Sequence, residues 1–557
     1  MENLNKKYTK IIYVLLFISL ISFEVFFCNF DFLRSIVNFK FNVPYIFSLP
    51  RIIMYILFFV VCKLSKDKII ENRLKRDKSI KKSLNIVFGF LFLIYIGCIL
   101  GTKIVGTFNF MTVGLLFIIL SFLLFLYIFI GKSYKINIML VCLIVLINSI
   151  AVPDIHILDE VAHTPTAYNV AVLNLSNDKT YYDKGLYKII PISKYYHNES
   201  LFSDRTKGKA DITNIMSVYM YDRASMFLHI PSSLGMAMSL ALDGTVMDTF
   251  YIGRIMAAAS FLLLVMAFLK IVKHKKYALI GVLTTPLLLT IAGTYNLDGR
   301  GYIAVALFTT YILNIYHDKD SKSISNKQLI HIILLFLLVS LFKGASYIFV
   351  AILLLLIIKK FNKKQISILG LSCFVIMLFI YFNVYGTMDM AVGDLRGGDT
   401  SVTGQIAFLL SSPIRIGIVA FNHLKNSIMN VGFYNGLFGN VFFGTYGSLL
   451  TIPYFLYLLY MGLCDEISKK WEKVLYLVVF FGSFGITSLA LYLAFTPVGE
   501  TVIKGYQSRY ILQYMPFLLF IIPNKYISLN ISKLNKEHIA LMTAIVLNIV
   551  LLLVSLI

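Results

Sequence analysis

Long apolar runs recur along this chain of 557 residues, from IIYVLLFISL at 11–20 to the closing LLLVSLI at 551–557, and they limit its fold more than any other feature. A run of about 20 apolar residues crosses a bilayer as a helix, because only internal hydrogen bonding satisfies the backbone in hydrocarbon. Fifteen candidate spans follow: 11–30, 44–62, 84–101, 110–131, 136–152, 250–271, 277–294, 300–316, 328–341, 345–358, 366–385, 446–463, 474–496, 509–523 and 538–557. The predicted fold is an all-α polytopic membrane protein of about 13–15 transmembrane helices. Only 14% of the residues are charged, against about 25% in soluble domains. A soluble enzyme, a disordered chain and a transmembrane β-barrel, which would alternate polar and apolar residues, are excluded. Spans shorter than about 20 residues must recess into a cavity or be shielded by neighbouring helices.

The formal charge of +23 is concentrated in short loops between spans and reads as topology, with no nucleic-acid partner. Segment 63–82 alone carries nine basic residues against three acidic ones, which marks it as cytoplasmic. Alternating from a cytoplasmic N-terminus, with the first span retained, the clusters 270–276, 317–327, 359–364, 464–473 and 524–537 all fall on the same side. The six cysteines lie in or beside apolar segments, with no metal-ligand spacing, and read as packing residues.

Three connections fall on the outer side. The largest, about 154–248, holds eleven of the 28 acidic residues and eight basic ones, and is expected to contain a small folded element. Within it 226–242, interrupted by Pro231 and Gly235, reads as a re-entrant or interfacial helix. The second is 386–445, an outer re-entrant segment with an amphipathic stretch at 405–431, and the third is 497–508. The expected organisation is N-terminal spans over 1–135, a main membrane domain over 136–525 and a C-terminal span over 526–557.

Candidate chemistry clusters at the outer ends of the spans. Asp159, Glu160 and His163 precede Pro165, and Thr164-Pro165 reads as the N-cap and first residue of a helix over 165–175. Adjacent carboxylates beside a histidine could act as a general base or bind a divalent cation such as Mg2+ or Mn2+. They could equally be a solvated helix entrance. Asp298 and Arg300 could pair at the membrane interface. Lys343 lies between two apolar runs in a hairpin of 31 residues, where a lysine requires a partner such as a lipid phosphate or must snorkel to the interface. Around the last outer turn, Gln507, Arg509 and Tyr510 could grip a phosphate or stack on a sugar, or serve as interfacial anchors.

In order along the chain stand Asp159-Glu160…His163, HIPSSLG at 229–235, Arg254, Lys343…Tyr347, Gln405…Phe408-Leu409-Leu410…Pro413, and Tyr492…Thr496-Pro497-Val498-Gly499…Gly505-Tyr506-Gln507-Ser508-Arg509-Tyr510…Pro516. This series resembles the bacterial polytopic family catalogued as domain of unknown function 2142, which is similar in architecture to GT-C glycosyltransferases. Val161 stands where the family often has Pro, and Ser508 replaces the Gly before the Arg. The resemblance implies a multi-pass plasma-membrane glycosyltransferase. Its donor would be a polyprenyl-phosphate sugar, and its acceptor an extracytoplasmic cell-envelope glycan or glycolipid. Asp159 would be the base, with Glu160 as its partner or a metal ligand and His163 beside them. Lys343 and Arg509 would hold the lipid phosphate, with Arg254, Asp298, Gln507 and Tyr510 at the donor site. A lipid-linked glycan flippase or other transporter, or a polysaccharide polymerase or ligase, are the rival readings.

Overall fold

The computed structural model describes residues 76, 78–106, 108, 110–151, 160–174, 180–183, 215–218, 226–242, 244, 246–382, 398–430, 450–523, 533–554 and 556. Asp159 and the expected spans 11–30 and 44–62 lie outside the described residues.

The apolar runs fold as helices. The first helices are α1 (Lys78–Val105), α2 (Phe110–Phe129), α3 (Tyr134–Cys142), α4 (Ile144–Ala151) and α5 (Glu160–Ala171). After them come strands β1 (Thr180–Asp183) and β2 (Ile215–Val218), then α6 (Met226–Ala241), α7 (Val246–Ile271), α8 (Lys276–Leu283), α9 (Pro286–Ala292) and α10 (Asp298–His317). Helix α11 (Asn326–Lys343) runs into a 3-10 helix, Gly344–Leu356, followed by α12 (Lys363–Ile380), α13 (Val402–Leu410) and α14 (Pro413–Asn426). The chain closes with α15 (Thr451–Leu463), α16 (Lys470–Phe495), the 3-10 turn Ser508–Ile511, α17 (Met515–Leu519) and α18 (Lys533–Val554). Among the described residues, α1, α2, α7, α16 and α18 contain continuous helices long and apolar enough to cross a bilayer, and the bent pair α13–α14 would make a sixth. The other apolar runs form shorter or broken helices.

Prolines account for two of the breaks. Run 277–294 does not form one helix, because Pro286 has no N–H to donate and forces Thr285 into extended backbone (φ −67°, ψ 140°). The hydroxyls of Thr284 and Thr285 bond back to the Ile280 and Val282 carbonyls near the end of α8. Pro413 likewise turns α14 by 112° from α13, dividing the expected amphipathic stretch in two.

One expectation about a helix start needs correction. The helix expected to start at Thr164-Pro165 starts at Glu160 and ends at Ala171, with Pro165 inside it and the Thr164 hydroxyl bonded back to the Glu160 carbonyl at 2.8 Å. The fold is helical as expected but includes a two-stranded antiparallel ribbon, Thr180 opposite Val218 and Asp183 opposite Ile215, within the segment expected to hold a small folded element. Thr, Tyr, Ile and Val favour such a pairing.

Helices α8, α9 and most of α10 are buried along their length and form the centre of the bundle. Helix α6 packs on α5 and α7, and α7 in turn on α10. The approach of α6 to α7 is close: a Cβ at Gly235 would lie 2.7 Å from the Ile252 carbonyl oxygen, and one at Gly253 3.0 Å from Met236 Cγ. Small residues allow such crossings.

The basic loops gather at one end of the bundle. His274 stacks on His317 with ring centroids 4.0 Å apart, Lys360 Nζ donates to the Ile315 carbonyl at 2.6 Å, and Lys473 Nζ donates to the Pro523 carbonyl at 3.0 Å. Lys276 pairs with Glu537 at 2.7 Å. At the same end the buried Asp465 caps α8, accepting from the N–H groups of Tyr277 at 3.0 Å and Ala278 at 2.8 Å.

Candidate functional site

Three segments distant in sequence meet at the start of α5. Glu160 receives the Arg254 guanidinium bidentately, Nε to Oε1 at 2.8 Å and Nη2 to Oε2 at 2.6 Å, with both side chains fully buried. The Tyr295 N–H donates to the same Oε1 at 3.2 Å, and the Tyr295 hydroxyl donates to the Phe250 carbonyl at 2.7 Å. The Arg254 guanidinium also lies over the Phe250 ring, 4.6 Å from its centroid. With both Glu160 oxygens on N–H donors, a cation bound there would lie against Arg254. Glu160 is built as an anchor for the head of α5 and does not fit the open metal ligand considered from the sequence. Its anchoring fixes the backbone one residue beyond Asp159.

His163, one turn into α5, places Nδ1 3.1 Å from His229 Nε2 on α6, with both rings buried. Only one of these nitrogens can carry the shared proton. The Ser233 hydroxyl ties the same two helices by donating to the Ala167 carbonyl at 2.8 Å.

The turn into α10 supplies a second ion pair. Asp298 does not pair with Arg300, two residues along the helix and on another side of it; Arg509 Nε stands 3.2 Å from Asp298 Oδ2, and both side chains are 3% exposed. Arg509 also lies over the Tyr510 ring at 5.3 Å. Arg300 instead donates to two carbonyls, Leu228 at 2.9 Å and Tyr295 at 3.3 Å.

The segment before Arg509 is held by left-handed glycines and side-chain bonds. Gly499 (φ +88°) and Gly505 (φ +76°) adopt conformations that L side chains avoid. The Gly499 N–H donates to the buried Gln405 Oε1 at 3.0 Å, the Lys504 N–H to the Thr496 hydroxyl at 3.1 Å, and the Tyr492 hydroxyl to the Glu500 carbonyl at 2.9 Å. Gln507 Oε1 is buried close to this turn. Lys343 ends α11, and its side chain lies outside the described residues.

The structure therefore ties Glu160, Arg254 and Arg300 together through the Tyr295 backbone, sets His163 against His229 one turn along α5, and forms a separate Asp298–Arg509 pair three residues beyond Tyr295. His229 and the Tyr295 backbone take part although sequence reasoning gave neither a role. HIPSSLG was the only signal for His229, and nothing in the sequence pointed to the Tyr295 N–H.

Comparison with known protein families bears on this arrangement. Residues 194–521, over half the chain, match the family model described as predicted membrane protein, DUF2142. The chain belongs to the DUF2142 family. Arg254, Asp298, Arg300, Lys343 and Arg509 lie within the matched stretch, whereas Glu160 and His163 precede it. No curated protein and no solved structure matches this DUF2142 chain.

Proposed function

We propose that this DUF2142 protein is a membrane glycosyltransferase, moving a sugar from a polyprenyl-phosphate donor to an extracytoplasmic glycan or glycolipid of the bacterial cell envelope. The observation that supports this most is that two buried ion pairs, Glu160–Arg254 and Asp298–Arg509, drawn from four parts of the chain, border the one turn at 295–298. In this reading Asp159, next to the anchored Glu160, takes the proton of the acceptor hydroxyl. In the same reading Lys343 and Arg509 meet the negative charge of the departing lipid phosphate. Gln507 and Tyr510 border the donor. A transporter would be better served by a continuous polar path across the bilayer.

The test is transfer of a labelled sugar from polyprenyl phosphate to envelope acceptor by the purified full chain in lipid nanodiscs. Asp159→Asn should lower the rate about a hundredfold or more, because proton abstraction is lost at nearly constant volume. Near-normal transfer by that variant would remove Asp159 from the reaction. Envelopes lacking the protein should lose one sugar substituent, and loss of the whole polymer would favour a flippase instead.

A further inference from the structure

Three buried arginines surround the turn at 295–300, and their neutralisation differs. Arg254 has Glu160 and Arg509 has Asp298. Among the described residues Arg300, 2% exposed, has only the carbonyl dipoles of Leu228 and Tyr295, and its Nε has no acceptor. Among the described residues no carboxylate faces it. Asp298 is close in sequence but is turned to Arg509. Burying a guanidinium without a counter-charge is unfavourable, and two neutral acceptors offset this only in part.

Two further polar groups on α6 lack partners among the described residues. His229 Nδ1 and Ser232 Oγ are both fully buried and unbonded. His229 is adjacent to Leu228, whose carbonyl takes Arg300, and is near enough to Arg300 for their charges to interact. Ser232 stands one turn further along the same helix. If His163 donates to His229 Nε2, then His229 Nδ1 carries a hydrogen, and Arg300 Nε, His229 Nδ1 and the Ser232 hydroxyl are all donors. Water could complete the histidine or the serine, but it brings no negative charge to Arg300. Helix α6 is a thin cover, since Phe227, Ile230 and Leu234 are exposed on its other side.

We propose that Arg300, with His229 and Ser232, forms a binding site for a phosphate-type anion between α6 and α10. The site goes beyond the transferase reading, since it requires an anionic ligand and no particular reaction. Either a phospholipid-like headgroup or free phosphate carries the chemistry it recognises.

The full chain in nanodiscs can be titrated with farnesyl phosphate, farnesol and inorganic phosphate, following both binding and the thermal unfolding midpoint. Farnesyl phosphate should bind and raise the midpoint while farnesol does neither. Competition by inorganic phosphate alone would identify a free-phosphate site, and its failure to compete a lipid-phosphate site. Arg300→Met should weaken binding about tenfold or more and leave the ligand-free midpoint unchanged or higher, because an uncompensated charge is removed. Arg300→Lys should recover part of the affinity, and Ser232→Ala should weaken binding about threefold or more. If Arg300→Met does not fold, the last two variants decide the question. No binding of either phosphate by the parent protein overturns the proposal, as does unchanged affinity in folded Arg300→Met, or in both Arg300→Lys and Ser232→Ala. Transfer activity is measured separately: unchanged affinity in the Arg300 and Ser232 variants would remove this site and leave the proposed reaction standing, whereas loss of transfer in Asp159→Asn with Arg300-dependent binding intact would bear on the reaction alone.

Discussion

Glu160→Gln keeps the side-chain volume but leaves the Arg254 guanidinium buried opposite a neutral amide. Removing one partner of a buried pair destabilises by about 3–5 kcal/mol, and the unfolding midpoint should fall accordingly. Glu160→Gln combined with Arg254→Met should regain part of the loss, since no charge is then left unopposed. Additive losses in the double variant would show that the two side chains act separately. None of this pairing was legible in the sequence. Glu160 and Arg254 are 94 positions apart, and no local rule joins them. The nearest apparent pair, Asp298 with Arg300, was misleading because i and i+2 diverge around a helix. The residue types were legible, as charges at the outer ends of the spans; their partners are set only by how α5, α7 and α10 cross.

At the scale of elements, the turn between α16 and Arg509 depends on backbone that only glycine adopts easily. A Cβ at Gly505 would lie 2.5 Å from the Phe495 ring, besides requiring φ +76°. Gly505→Ala should cost about 1–3 kcal/mol and loosen the Asp298–Arg509 contact. A lower thermal midpoint, with weaker binding of any ligand held by Arg509, is the expected result; unchanged values would show that the turn adapts. Apolar periodicity located these elements well, because helix formation in hydrocarbon is close to obligatory. It could not show that α5 already includes Glu160, which the distant Arg254 holds. Nor could it distinguish an α-helix from the 3-10 helix at Gly344–Leu356, since both are equally apolar.

For the whole molecule, the contacts among the basic loops require them to share one side of the membrane, and we propose, on the positive-inside rule, that this side is cytoplasmic. In a cysteine-free background, cysteines at Ser79 and Ser321 should resist an impermeant thiol reagent in intact cells, and one at Ser193 should react. Labelling of Ser79 and Ser321 on opposite sides would contradict the loop cluster. The same end carries a pH response. Burial lifts the Asp465 carboxyl to about 7, opposed by the N–H bonds from Ala278 and Tyr277. A value raised on folding gives a contribution that is full below about pH 4 and is lost as pH rises through about 7. Between about pH 6 and about pH 8 the parent protein should therefore lose midpoint relative to Asp465→Asn. Parallel profiles would mean that Asp465 titrates alike in folded and unfolded chains.

The 3-10 helix that follows Lys343 has 13 residues. At a rise of about 2.0 Å each it reaches about 26 Å, where an α-helix of the same length reaches about 20 Å. This extra reach lets a short apolar segment approach the thickness of the hydrocarbon layer, about 30 Å. Rewinding to α geometry would shorten the segment by about one helical turn and draw its two ends together. Acyl-chain length then becomes a variable acting on Lys343. Thicker bilayers favour the extended winding and thinner ones the compact winding. Thermal midpoints measured in phosphatidylcholine nanodiscs of increasing chain length should pass through a maximum, and substitution of Gly344 by alanine, which favours the α-helix, should move that maximum toward shorter chains.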